Sequence, residues 1–119
     1  MALAVRSIKR SIRPQDDTQF LEAANGVQGI AMAWRHRPEI VVADEIASRA
    51  GAFALAKDLK DALPPFEGRV IILLERRQDS WLARWSGADA WFVKPVNPFE
   101  LAGAVAGFLA GPDPHKEAV

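Results

Sequence analysis

The sequence predicts an α/β domain, a doubly wound parallel sheet that lacks the first of its usual strands. Short runs of β-branched and apolar residues alternate with longer segments of helical spacing, a pattern that calls for parallel strands joined by right-handed crossovers. Two of the runs stop on a charged residue, at Asp44 and at Lys94, as strands do where they reach the crevice at the carboxyl edge of an open sheet. The chain also opens on a helical pattern where a strand belongs.

Taken in order, Val5, Ile8 and Ile12 fall on one face of a segment from Ala4 to Arg13 whose remaining positions include Arg6, Lys9, Arg10 and Arg13. This reads as a short amphipathic helix with a basic outer face, ended by Pro14. Gln15 to Thr18 is a polar loop, Phe20 to Ala24 a strand, and Asn25-Gly26 a turn signal. Val27, Ile30, Ala31 and Trp34 then keep helical spacing up to Arg37, and Pro38 ends that helix by pushing its predecessor out of the α region. Ile40 to Ala43 is a continuous run suited to a strand covered on both faces, and it stops at Asp44. Ala52, Leu55, Ala56, Leu59 and Leu63 mark the next helix, closed by Pro64-Pro65. Val70 to Leu74 is the most apolar strand, Trp81, Leu82 and Trp85 a short helix ending before Gly87, and Ala90 to Val93 the last strand. Leu101, Ala102, Val105, Phe108 and Leu109 define the last helix. A competing assignment makes Leu3 to Ile8 the first strand, but too few residues then remain for a helical crossover of a dozen or more.

With 119 residues, half of them apolar and a quarter charged, the chain suits one domain over residues 1–110, and the stretch from Gly111 to Val119 reads as a flexible tail. Fifteen basic residues balance fifteen acidic ones, so no overall field draws the protein to nucleic acid or to an anionic membrane. Cysteine is absent, which excludes disulfides and thiolate metal sites and fits a reducing compartment. The apolar start is too short for a signal peptide, and no later run nears membrane-spanning length. A cytoplasmic location is expected. No nucleophile-base-orienter set and no phosphate-cradling glycine loop is present, so the sequence does not point to an enzyme.

The stretch from Phe20 to Leu109 resembles the receiver domain of two-component response regulators, the flavodoxin/CheY-like fold. The matching pieces are Glu22-Ala-Ala-Asn-Gly-Val, His36-Arg-Pro-Glu-Ile-Val-Val-Ala-Asp44, and Gly87-Ala-Asp-Ala-Trp-Phe-Val-Lys-Pro95 followed by Asn97-Pro-Phe-Glu-Leu101. The run from Asp79 to Ser86 is similar to a divergent group of short, stand-alone receiver-like proteins of actinobacteria. The resemblance implies that Asp44 stands at the phosphoacceptor position, taking a phosphoryl group from the phosphohistidine of a histidine kinase or other signalling protein in a phosphorelay. It implies Lys94 as the phosphate cation, Trp91 as the switch aromatic, a cis bond at Pro95, and a bound Mg2+. It also implies action through protein-protein contacts with no output domain.

Three departures bear on that chemistry. The acidic pair that holds Mg2+ in the family follows the first strand, which is missing; Asp16 and Asp17 come after the first helix instead, leaving Asp44 and Glu45 as the possible metal residues. The hydroxyl residue at the end of the fourth family strand falls on Glu75, or on Leu74 if the register slips. A carboxylate about 4 Å from a phosphoryl oxygen repels it by roughly 4 kcal/mol at an effective dielectric of 20. Finally, Trp91 replaces a smaller aromatic ring. An alternative expectation is therefore a pseudo-receiver, which is not phosphorylated and serves as an oligomerising interaction module.

Trp81, Trp85 and Trp91 are candidate interface residues, since large rings either complete a core or meet a partner. His36, between two arginines at a helix end, reads as a helix-end cation rather than a phosphotransfer histidine. Removing the first strand from the family order leaves a gap of about 10 Å between its neighbours. Either the Phe20 strand moves over to the Ile40 strand, or a second chain fills the slot by exchange, or upstream residues have been lost. A rearranged or strand-swapped homodimer is expected.

Overall fold

The computed structural model describes residues 25–45 and 51–110. The basic helix, the Phe20 strand, the competing Leu3 to Ile8 strand, Asp16 and Asp17, and the tail from Gly111 lie outside the described residues. Within them the order is α1 (Gly26–His36), β1 (Ile40–Asp44), α2 (Gly51–Asp61), β2 (Arg69–Leu74), a 3-10 turn (Arg77–Asp79), α3 (Ser80–Trp85), β3 (Ala90–Val93) and α4 (Pro98–Leu109). The three strands form one parallel sheet in the order β1-β2-β3. Asp44 stands opposite Leu73, and Leu73 opposite Phe92. No helix among the described residues is long and apolar enough to cross a membrane.

The period-two alternation of each strand sorts its side chains between two apolar layers. Val70, Ile72 and Leu74 of β2 join Ala33 of α1, Leu55, Ala56 and Leu59 of α2 and Ala83 of α3 in one buried cluster. Ile71 and Leu73 face the other way and pack with Leu101 and Val105 of α4. Helices thus cover both faces, which is the doubly wound arrangement, and every residue of β2 after Arg69 is buried.

Local chemistry fixes the element ends. Asn25, expected in a turn, is the N-cap of α1, its side-chain oxygen accepting the Gln28 N–H at 2.9 Å; cap and turn draw on the same short polar side chains. Arg37 does leave the right-handed α region before Pro38, but into the left-handed one, at φ 51° and ψ 54°. There its N–H reaches the Ala33 carbonyl at 2.9 Å, and its guanidinium lies 4.9 Å from the Trp34 ring centroid. Leu63 is not part of α2, which ends at Asp61. It is 96% exposed, because the two prolines after it break the helix before the next apolar position can turn inward. Asn97 caps α4 by accepting the Phe99 and Glu100 N–H groups, and Pro98 takes the first helical position, where a missing N–H costs nothing.

Two glycines are required, one by space and one by backbone conformation. A Cβ at Gly68 would meet the Phe66 ring at 2.5 Å and the Pro38 carbonyl oxygen at 2.6 Å. Gly87 sits at φ 82°, where any side chain is strained, and this turn drops the chain from α3 into β3.

Candidate functional site at the carboxyl edge of the sheet

The same alternation that builds the α4-facing layer carries three charged residues to one corner. Asp44 continues the series Ile40 and Val42, Glu75 the series Ile71 and Leu73, and Lys94 the series Ala90 and Phe92. All three therefore leave the carboxyl ends of adjacent parallel strands on one side of the sheet. The backbone holds this register past the strand ends: the Glu45 N–H donates to the Leu73 carbonyl at 3.0 Å, and the Lys94 N–H to the Leu74 carbonyl at 2.9 Å.

Lys94 Nζ donates to Asp44 Oδ1 at 2.8 Å. Asp44 is only 2% exposed, so the ammonium helps to compensate a charge taken almost wholly out of water. The same Nζ lies 3.5 Å from Glu75 Oε2. Burial alone lowers the pKa of Lys94, but the hydrogen bond and charge of Asp44, followed by those of Glu75, outweigh it, and the net movement is upward. Leu74, the other candidate for the hydroxyl position, is fully buried in the opposite layer; the strand period puts Glu75 beside the lysine.

Glu45 does something the sequence did not disclose. Its Oε2 accepts the Glu75 N–H at 2.7 Å, tying the loop after β2 to the end of β1. Burial raises the pKa of the Glu45 carboxyl; the Glu75 N–H pulls it back, while a hydrogen bond and charge from the Asp79 carboxyl add to the rise and Arg76 opposes it. A folded-state pKa raised in this way gives stability that is complete below the unfolded glutamate value and lost as pH rises through the folded one. Glu45→Gln keeps a carbonyl acceptor for the Glu75 N–H and meets Asp79 with a neutral amide. It is expected to stabilise the fold at neutral pH by less than about 1 kcal/mol, and thermal melts from pH 7 into acid should show the advantage disappear.

Trp91 is half-buried and packs with Val93 against the layer under α1, α2 and α3, while Phe92 faces α4. Trp81 and Trp85 lie one turn apart on α3 and are 64% and 55% exposed, with the Lys57 ammonium 5.0 Å from the Trp85 ring centroid. His36 lies in the last turn of α1, just before β1 begins at Ile40, the end of that strand opposite to Asp44. The Lys94-Pro95 peptide is cis. Among the described residues no group of three or more His, Cys, Asp or Glu side chains is placed to hold a metal ion.

At the opposite end of the sheet, Asp89 is a second charged centre that spacing alone did not single out. Its Oδ2 accepts the Val70 N–H at 2.7 Å and lies 2.7 Å from Lys60 Nζ, and its Oδ1 lies 3.3 Å from an Arg69 guanidinium nitrogen. Its own N–H donates to the Val70 carbonyl at 2.8 Å. One side chain thereby closes β3 onto β2 and draws α2 to the sheet.

Comparison with known proteins bears on this corner and on the fold that builds it. No protein-family model matches the chain. An uncharacterized response regulatory protein of Mycobacterium tuberculosis is 32% identical over 112 residues, which cover 91% of this chain and 81% of the relative. Among solved structures, the signal receiver domain of a signal transduction histidine kinase from Syntrophus aciditrophicus superposes with a TM-score of 0.76 at 23% identity, covering 95% of this chain and 84% of that one. A chemotaxis response regulator of Vibrio cholerae gives 0.69 at 20% identity, covering 91% and 90%. These structural likenesses speak to the fold, a CheY-like receiver, whereas the sequence identity to the mycobacterial protein carries descent. This chain is a member of the response regulator receiver family.

Proposed function

We propose that this protein is a receiver-type signalling module in which Asp44 is the phosphoacceptor and Lys94 the cation that receives the phosphoryl group. The observation that carries the reading is the 2.8 Å contact between Lys94 Nζ and Asp44 Oδ1 at the carboxyl edge of the sheet. An oxygen of Asp44 attacks phosphorus, a P–O bond forms as the P–N bond of a donor phosphohistidine breaks, and the imidazole leaves with that electron pair and takes up a proton. Lys94 holds Asp44 beforehand and a phosphoryl oxygen afterwards, as a point charge with three donors. Asp44 and Glu45 would hold Mg2+. The donor chemistry fits, because two carboxylates are within what that ion uses and Glu45 can accept one hydrogen bond and still offer lone pairs. When bound, the ion supplies neutralising charge for the transferring group. Intact-mass measurement after incubation with phosphoramidate and Mg2+ tests the assignment: a gain of one phosphoryl group that Asp44→Asn abolishes is expected, and an unchanged mass rejects it.

A second reading, a pseudo-receiver, is favoured by Glu75. It supplies no hydroxyl to a phosphoryl oxygen and lies 3.5 Å from the same Nζ. In either reading the protein acts by contact with a histidine kinase, another signalling protein or a second copy of itself, and the exposed rings of Trp81 and Trp85 are the surface offered. Trp85→Ala is expected to leave folding intact and to weaken association by tenfold or more, in keeping with roughly 2 kcal/mol for an aromatic anchor. Sedimentation and circular dichroism on the same samples check it, and loss of fold would reassign the ring to the core.

A further inference from the structure

We propose that Glu75 is a built-in anion that holds Lys94 and gates the Asp44 site against incoming phosphoryl groups, an inference that rests on the phosphoacceptor reading of Asp44. Three observations place the gate. The strand period sends Glu75 to the same side of the sheet as Asp44 and Lys94. Its carboxylate lies 3.5 Å from Lys94 Nζ, while Asp44 Oδ1 lies at 2.8 Å from the same atom. Its backbone cannot drift, since the Glu75 N–H is bound to Glu45 at 2.7 Å while the neighbouring Glu45 and Lys94 N–H groups are bound to the last two carbonyls of β2.

The chemistry follows from charge. Among the described residues the Lys94 ammonium contacts both the Asp44 and the Glu75 carboxylates. A phosphoryl group arriving at Asp44 needs that ammonium, so it must compete with a carboxylate that never diffuses away. An ionised carboxylate accepts hydrogen bonds and donates none, so Glu75 also offers nothing to the phosphoryl oxygens and repels them at short range. The side chain of Glu75 is 47% exposed, which lets it swing toward water. The gate therefore slows acceptance and does not seal the site.

Labelling with phosphoramidate in Mg2+ buffer, followed by intact mass, tests this on the full chain. The phosphoryl group moves from nitrogen to a carboxylate oxygen of Asp44, the P–N bond breaks as the P–O bond forms, and ammonia leaves with a proton from water. Glu75→Gln, nearly isosteric and neutral, is expected to label roughly tenfold faster or more than the wild type. Glu75→Thr should do likewise through a different shape, and Asp44→Asn combined with Glu75→Gln should not label. Equal rates for the wild type and both Glu75 variants overturn the gate and leave Asp44 as phosphoacceptor. Absence of label on all of them overturns both the gate and the reading on which it rests.

Discussion

Replacing Lys94 by methionine is expected to cost about 3 kcal/mol of folding stability, seen as a lower urea midpoint with an unchanged slope. The cause lies in Asp44, which is 2% exposed and loses the ammonium 2.8 Å from its Oδ1. Breaking a buried pair from one side costs more than deleting the pair, because the remaining charge is left in a poor solvent. Adding Asp44→Asn to the variant should restore half or more of the loss, and the double-mutant cycle isolates the coupling. The pH dependence has a definite sign. A lysine whose folded-state pKa is raised contributes stability that is complete below the unfolded value near 10.5 and lost as pH climbs through the folded value. Wild type and variant should therefore differ by a constant amount at neutral and mildly alkaline pH and converge in strong alkali.

Asp89→Ala is expected to cost about 3 kcal/mol as well, from a residue remote from any chemistry. The substitution strands the buried Val70 N–H, worth about 1–3 kcal/mol by itself. It also removes the carboxylate that Lys60 and Arg69 share. Asp89→Asn keeps an acceptor for Val70 and gives up only the charge, so about half the loss should remain. Hydrogen exchange localises the effect: the Val70 amide should lose protection in the alanine variant and keep it in the asparagine variant.

The two centres differ in how far the sequence revealed them. Asp44 and Lys94 were legible because each ends an apolar run, and a strand that stops on a charge announces its own end. Their meeting followed from the parallel order of β1, β2 and β3. The part played by Glu45 was not legible, since it depends on β1 and β2 ending level, and only the register places the Glu75 N–H within its reach. The role of Asp89 was not legible, because its partners Lys60, Arg69 and Val70 come from two other elements and no periodicity links them. Leu63 shows the opposite error: its spacing fitted α2, and the proline pair overrode the spacing. The missing-strand expectation concerns residues 1–24, outside the described part of the chain.

The tether from Glu45 to the Glu75 N–H has a practical consequence. Between Glu75 and α3 the chain is spent almost entirely on one tight 3-10 turn, so there is little slack to absorb a movement of the strand end. Trp81 and Trp85 ride on that helix with more than half of their surface in water, where indole emission responds to its surroundings. The molecule thus carries its own optical gauge: a change of occupancy or protonation at the sheet edge should be readable as a shift in intrinsic fluorescence, without any label.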